Sequence, residues 1–366
     1  MTLLIPNYNS PQRIALVQKH ADPCTIQNHE IMVLCEDSVF LPRTQERFAL
    51  DEAACRFNEL LHSGDIVSIS NTGLVYRLYD INDSDATVFL TGQCNSNCIM
   101  CPCSDWERQY NIGTSDDWMR EYIEMLPPNL RHICVTGGEP TLKTEQFFMV
   151  MELLAEKYPN SNVLLLTNGR SFASTAMVNR LINKCPPYLE IAIPIHGHSA
   201  ALHDSISRAD GSLAQTTQGI KNLLAKRIPI ELRVVVSKIN SPYLEDVARY
   251  IVSEFPSAKI VNFIGLEAMG NCAKNFQKVY IDYTESFSFI KPAIGVLVSA
   301  GMDVSLYNYP LCTVERGFWT LCQQSITPYK VKYPDECEQC EAKDYCGGFF
   351  NSTLGVAKPI VKPIRF

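Results

Sequence analysis

The sequence predicts an α/β protein: a partial (β/α)6 TIM-like barrel, preceded by a small N-terminal α+β unit and followed by a Cys-rich extension. Three observations carry this. From about residue 86 to 270, short continuous apolar runs alternate with stretches of helical period, the pattern of parallel strands covered by helices. Six such units are present, fewer than the eight of a closed barrel. The residues with chemistry to offer fall just after the strands, where barrels of this type keep their sites. The divisions run 1–85, 86–300 and 301–366.

In the first division, Ile31–Cys35 reads as a strand. Glu46–His62 reads as a helix from the spacing of Phe48, Phe57, Leu60 and Leu61. Asp65–Ser70 and Leu74–Tyr79 flank Asn71–Gly73 as a hairpin. The six strands of the second division are Ala86–Leu90, Arg131–Thr136, Asn162–Thr167, Leu189–Ile195, Pro229–Val236 and Lys259–Ile264. Helices are expected over Thr144–Tyr158, Ala173–Lys184 and Ser212–Leu224, the last capped by Ser212. Another opens at Ser241-Pro242, with Ser241 as N-cap and proline at the first helical position.

Composition narrows the class. A hydrophobic fraction of 46% with 19% charge supports a folded core. The net charge of −7 supplies no global basic field, so no nucleic-acid partner is expected. No apolar run is long enough to span a bilayer, and the first residues lack the pattern of a signal peptide, so the expected location is cytoplasmic. Of the 15 cysteines, nine gather around 94–103 and 312–346, and six are scattered. Such clustering in a reducing compartment points to metal rather than disulfides.

The first group reads Cys94-Asn-Ser-Asn-Cys98-Ile-Met-Cys101-Pro102. Three thiolates at this spacing can hold three corners of a [4Fe-4S] cube, which normally takes four cysteines. The remaining iron is then free for a small molecule. Zinc loops use a different rhythm, pairing C-x2-C with a second ligand pair. After the second strand comes Gly137-Gly138-Glu139-Pro140, and after the third Thr167-Asn168-Gly169. The fourth ends in Pro194-Ile-His196-Gly-His198, followed by His203-Asp204 and Gly211-Ser212. Ser237 and Lys238 follow the fifth, and Gly265-Leu-Glu267-Ala-Met-Gly270-Asn271 follows the sixth. His196 and Cys103 are the candidates for acid, base or hydrogen-donor work, with a packed histidine and a bystander thiol as the plain alternatives. Arg233 is a candidate carboxylate partner or an ordinary ion pair.

The second group is Cys312, Cys322, Cys337, Cys340 and Cys346. Five cysteines suit one auxiliary cluster, with four of the five as ligands. Zinc is the alternative, since C-x2-C plus two further cysteines is acceptable zinc spacing.

Together these motifs resemble the radical S-adenosylmethionine (SAM) superfamily, and their wording and layout resemble the maturases of the His-Xaa-Ser peptide system (HxsC-type). Cys337-x2-Cys340-x5-Cys346 and Gly317-x4-Cys322 resemble parts of the SPASM signature, shortened here to a twitch-like extension. Phe350 stands where that signature has its last cysteine, and His196-Gly197 stand where peptide-modifying relatives have Asp-Gly. The resemblance implies SAM as cofactor, beside Gly137, Gly138, Glu139, Pro140, Asn168, His196, Gly265 and Glu267. It implies a 5′-deoxyadenosyl radical, a ribosomally made peptide as substrate, and an electron donor such as flavodoxin or ferredoxin. The alternatives are radical chemistry on a small molecule in cofactor or modified-base synthesis, and a non-enzymatic zinc- or cluster-binding regulatory protein.

Overall fold

The computed structural model describes residues 2–19, 29–51, 60–105, 108, 115–324 and 330–366. Seven strands form the N-terminal sheet: β1 (Thr2–Leu4), β2 (Arg13–Gln18), β3 (Ile31–Leu34), β4 (Ser38–Leu41), β5 (Glu46–Ala49), β6 (Ile66–Ile69) and β7 (Leu74–Tyr79). Their order is β1-β7-β6-β2-β3-β4-β5. The hairpin of β6 and β7 is as expected. The helix expected from Glu46 is not, because Glu46–Ala49 pairs antiparallel with β4. Phe48 alternates rather than winds, setting its ring 5.2 Å from Tyr8. Residues 52–59 of that expectation lie outside the described residues.

The second sheet has eight strands in the order β15-β14-β13-β12-β11-β10-β9-β8, every neighbouring pair parallel. They are β8 (Asp85–Phe89), β9 (His132–Thr136), β10 (Asn162–Leu166), β11 (Leu189–Pro194), β12 (Ile230–Val235), β13 (Ile260–Ile264), β14 (Asp303–Tyr307) and β15 (Cys322–Gln323). The six expected strands are all present, and two more continue the sheet beyond residue 300. Cys322 therefore belongs to an edge strand, paired with Leu306.

One face of this sheet is buried under helices. Val135, Leu165, Ile193, Leu232 and Val234 are each fully buried in the main core, with Phe147, Val150 and Leu154 of the helix Thr144–Lys157. The alternate residues face inward, and Thr136, Leu164, Leu166, Pro194, Arg233 and Val235 are all partly exposed. A closed barrel fills that space with layered side chains; here the interior is open. Burial raises the Cys134 thiol to about 11. The N-terminal sheet joins this body at the helix Asp116–Met125, whose Tyr122 hydroxyl lies 2.9 Å from the Thr87 carbonyl of β8 and 3.5 Å from the Leu78 carbonyl of β7.

Two helix starts differ from expectation. Ser212 is the first residue of its helix, after Gly211 in the left-handed region at φ +72°. The cap comes instead from Asp204, whose carboxylate accepts from Gly211 N, Ser212 Oγ and Leu213 N, each at 2.8 Å. Asn240, not Ser241, precedes the 3-10 turn Ser241–Tyr243, and the α-helix begins at Leu244.

Candidate functional site

The loop from Thr91 to Cys103 leaves β8 at its carboxyl end and is tied to four neighbouring segments. From β9, Gly138 N donates to Thr91 O at 2.6 Å and Glu139 N to Gln93 O at 2.7 Å. A Cβ on Gly138 would stand 2.4 Å from the Gln93 oxygen, so glycine is what lets the two loops meet. From β10, Asn168 Nδ2 donates to Asn95 Oδ1 at 2.6 Å. The Arg170 guanidinium donates to the Asn95 carbonyl and, at 3.1 Å, to Ser96 Oγ. After β11, the carbonyls of Ser207 and Ile206 accept from Asn97 N and Ile99 N at 2.9 and 2.8 Å. After β13, Asn271 N donates to Cys101 O at 2.9 Å, and Asn271 Nδ2 to Cys98 O at 3.0 Å. Gly270, at φ +51°, lies so close that a Cβ would stand 2.3 Å from Cys103 O.

This irregular backbone has no ladder of its own, so its carbonyls and N–H groups need such partners. The result is a fixed loop presenting Cys94, Cys98 and Cys101, each half-buried. Burial pushes the Cys98 thiol up to about 12, with the Cys101 and Cys94 sulfurs adding to the rise. Burial also raises Cys94, against a donor from Ser96 N at 3.4 Å. Among the described residues, no three cysteine sulfurs all lie within 4.8 Å of one another. At this loop, Cys94, Asn95, Ser96, Asn97, Asp105, Arg108 and Arg208 line a cavity of about 550 Å³.

Glu139 is fully buried beneath this loop. Its Oε1 accepts from Thr141 N at 3.1 Å, Thr141 Oγ1 at 2.5 Å and Thr167 Oγ1 at 2.8 Å. Its Oε2 accepts from Asn168 N at 2.7 Å. Burial raises its carboxyl, and these donors oppose the rise. Glu139 thus staples the turn after β9 to the turn after β10. Pro140 begins the 3-10 turn that follows, also buried.

His196 is 4% exposed, and among the described residues its Nδ1 has no hydrogen-bond partner. Burial, and then the neighbouring His203, hold it well below the usual imidazole range. Its N–H donates to His203 Nδ1 at 3.1 Å. Arg233 pairs with Glu231 on its own strand at 2.5 Å. Glu267 pairs with Lys330 at 3.1 Å. Gly265 packs against the Asn308 carbonyl, 2.7 Å from where a Cβ would be. Cys103 stands at the end of the cysteine loop, half-buried. Two residues that sequence reasoning missed, Arg108 and Arg170, hold the loop. Arg108 donates to Ser96 O at 3.1 Å. Arg170 had one signal: it directly follows the Asn168-Gly169 turn.

Of the second cysteine group, Cys312, Cys337, Cys340 and Cys346 line one small pocket, and Cys322 does not. Burial raises Cys337 to about 11, with Cys312, Cys346 and Cys340 each acting on it. Burial raises Cys322 to about 12, with Cys346 the one cysteine acting on it. The close triad His62, Asp65 and Asp80 is an ion-pair cluster, because Arg77 reaches both carboxylates at 3.3 and 2.8 Å. Among the described residues, no helix is long and apolar enough to cross a membrane.

Residues 88–251 match the family model of the radical SAM superfamily. An uncharacterized protein of Methanocaldococcus jannaschii is 25% identical over 170 residues, covering 45% of this chain and 57% of its own. A probable GTP 3′,8-cyclase of Sulfurisphaera tokodaii is 22% identical over 169 residues, covering 46% and 52%. The chain therefore spans little more than half the length of these relatives. Among solved structures, Streptococcus suis SuiB bound to the precursor peptide SuiA superposes with a TM-score of 0.50 at 10% identity, over 61% of this chain and 48% of that one. The structure of anSMEcpe with bound AdoMet gives 0.48 at 18%, over 61% and 64%. The SuiB likeness is one of fold.

Proposed function

We propose, from the premise that residues 88–251 are a radical SAM domain, that this protein reductively cleaves SAM and uses the resulting radical on a ribosomally made peptide. The carrying observation is the loop of Cys94, Cys98 and Cys101, fixed by hydrogen bonds from the ends of β9, β10, β11 and β13. Cys94, Cys98 and Cys101 would hold a [4Fe-4S] cluster which, once reduced by an external electron donor, would supply the electron for reductive cleavage of SAM. The chain's own contribution is position. Arg170, Asn168 and Asn271 hold the loop, and Glu139 holds the turn beneath it. The open barrel interior offers room for a substrate beside the loop. The pocket of Cys312, Cys337, Cys340 and Cys346 offers four thiolates, a full set for a second Fe–S cluster, which suits electron transfer rather than substrate binding.

The peptide reading takes support from the sequence resemblance and from the shared fold of SuiB, solved bound to a precursor peptide. A second reading, radical chemistry on a small molecule, is favoured by the likeness to a probable GTP 3′,8-cyclase. The test is anaerobic. Iron and sulfide are counted per chain, then dithionite and SAM are added and 5′-deoxyadenosine is quantified. About eight irons and deoxyadenosine are expected, counting four per cube. Zinc without iron, and no deoxyadenosine, would leave a metal-stabilised binding protein. Product analysis after incubation with GTP, or with a synthetic precursor peptide encoded beside the gene, separates the two substrate classes.

A further inference from the structure

The C-terminal segment is more than an extended basic tail. Val361, Lys362, Pro363 and Ile364 form one wall of the pocket that the four cysteines line. The main-chain N–H of Ile364 donates to Cys340 Sγ at 3.3 Å, and Lys362 stands in the same wall beside Cys312. The body of the protein supplies the other donors: Leu311 N and Gly348 N each reach Cys346 Sγ at 3.4 Å. Hydrogen bonds of this kind favour a sulfur that carries charge, as a metal-bound thiolate does.

The segment is latched away from the cysteines by few contacts. Ile364 O accepts from Glu341 N at 3.0 Å, and Phe366 N donates to Glu341 Oε2 at 2.7 Å. The Phe366 ring meets Trp319 edge-on at 6.3 Å, and the Arg316 guanidinium lies 5.6 Å from both rings. Phe366 is still 67% exposed and Ile360 72%, so the apolar burial that holds the segment down comes from Val361 and Ile364, both partly buried, with Val361 against the main core. Pro359 and Pro363 fix φ at two positions and keep the run extended.

We propose that residues 361–364 are a strap that closes the four-cysteine site and holds its Cys340 sulfur by main-chain N–H donation, so that a metal–sulfur centre built there is retained only while the strap is shut. This rests on the reading that the site holds a cluster, and the experiment separates the two. In full-length protein carrying Cys94→Ala, Cys98→Ala and Cys101→Ala, reconstituted iron reports on the second site alone. Its release to a ferrous-iron chelator is followed anaerobically by absorbance. Ile364→Pro removes the donor to Cys340, Glu341→Ala removes the latch's carboxylate while leaving its main-chain bond to Ile364 O, and Ile364→Val keeps both donor and carboxylate. Circular dichroism verifies that each variant is folded. The expected result is release at least tenfold faster in Ile364→Pro and Glu341→Ala, with Ile364→Val like the parent. Equal rates in all four overturn the strap while leaving the cluster. A parent that binds neither iron nor sulfide overturns the cluster reading, and the strap with it.

Discussion

Glu139→Gln is the sharpest probe of how the site is built. The carboxylate is wholly buried and accepts two main-chain N–H groups, from Thr141 on Oε1 and Asn168 on Oε2. Glutamine has one acceptor oxygen, so its NH2 must face one of those donors in either orientation. At least one buried N–H is then left without a partner, which costs about 1–3 kcal/mol. Glu139→Ala abandons both main-chain donors, at roughly 2–6 kcal/mol if the two add. The assay is amide hydrogen exchange on apo protein with no SAM present. Exchange at Thr141 and Asn168 is expected to accelerate in both variants, more in Glu139→Ala. The distant strand β6, in the other sheet, is expected to be unchanged. If Glu139 serves only as a SAM contact, apo exchange at 141 and 168 will match the parent, and the reasoning from the staple is wrong.

Four further outcomes follow from the geometry. Cys94→Ala, Cys98→Ala or Cys101→Ala should abolish 5′-deoxyadenosine formation, measured chromatographically with dithionite as reductant. Arg170→Ala should slow it about tenfold or more, within the range that small misplacements produce, with wild-type circular dichroism. Cys322→Ala should keep the second centre, whereas Cys346→Ala or Cys340→Ala should lose about four irons per chain by colorimetric assay. His203 gives a pH dependence. Burial lowers its imidazole from 6.5 to about 4; Arg170 also lowers it and Asp204 opposes. The unfolded chain thus takes a proton near 6.5 that the folded chain refuses, so stability falls as pH drops from 6.5 toward 4. The slope approaches about 1.4 kcal/mol per pH unit, or about 3 kcal/mol over the window. His203→Gln should make that part of the profile shallower in thermal melts, with buried His196, whose imidazole is also lowered, keeping its own share.

The six barrel strands were legible because each is a short apolar run bounded by turn residues, with one face fully buried in the core. What lay beyond them was not. Cys322-Gln323 is too short for any periodic signal, and it is a strand only because β14 offers it an edge. Glu46–Ala49 has apolar residues that satisfy a helix or a strand equally, and pairing with β4 decides between them. The cysteine loop was visible from its spacing alone. The groups that hold it were not, because Arg170 and Asn95 are 75 residues apart and meet only when β8 and β10 come to the same end of the sheet.

The glycines and Glu139 show why motif reading stops short of mechanism. From the sequence, Gly137-Gly138 suggests backbone cleared for a ligand, and Glu139 suggests a side chain offered to one. In the fold, the space that a Cβ on Gly138 would take is filled by the carbonyls of Gly92 and Gln93. The Glu139 carboxylate is spent on Thr141, Thr167 and Asn168. Both residues therefore act on the cysteine loop and its supporting turns, as positioning groups. Such a loop needs irregular backbone at a strand end, and irregular backbone is stable only where outside groups satisfy its donors and acceptors. A short-range motif around the cysteines and scattered polar residues after later strands are two halves of one requirement. The second half takes its meaning from the parallel sheet that gathers the strand ends together.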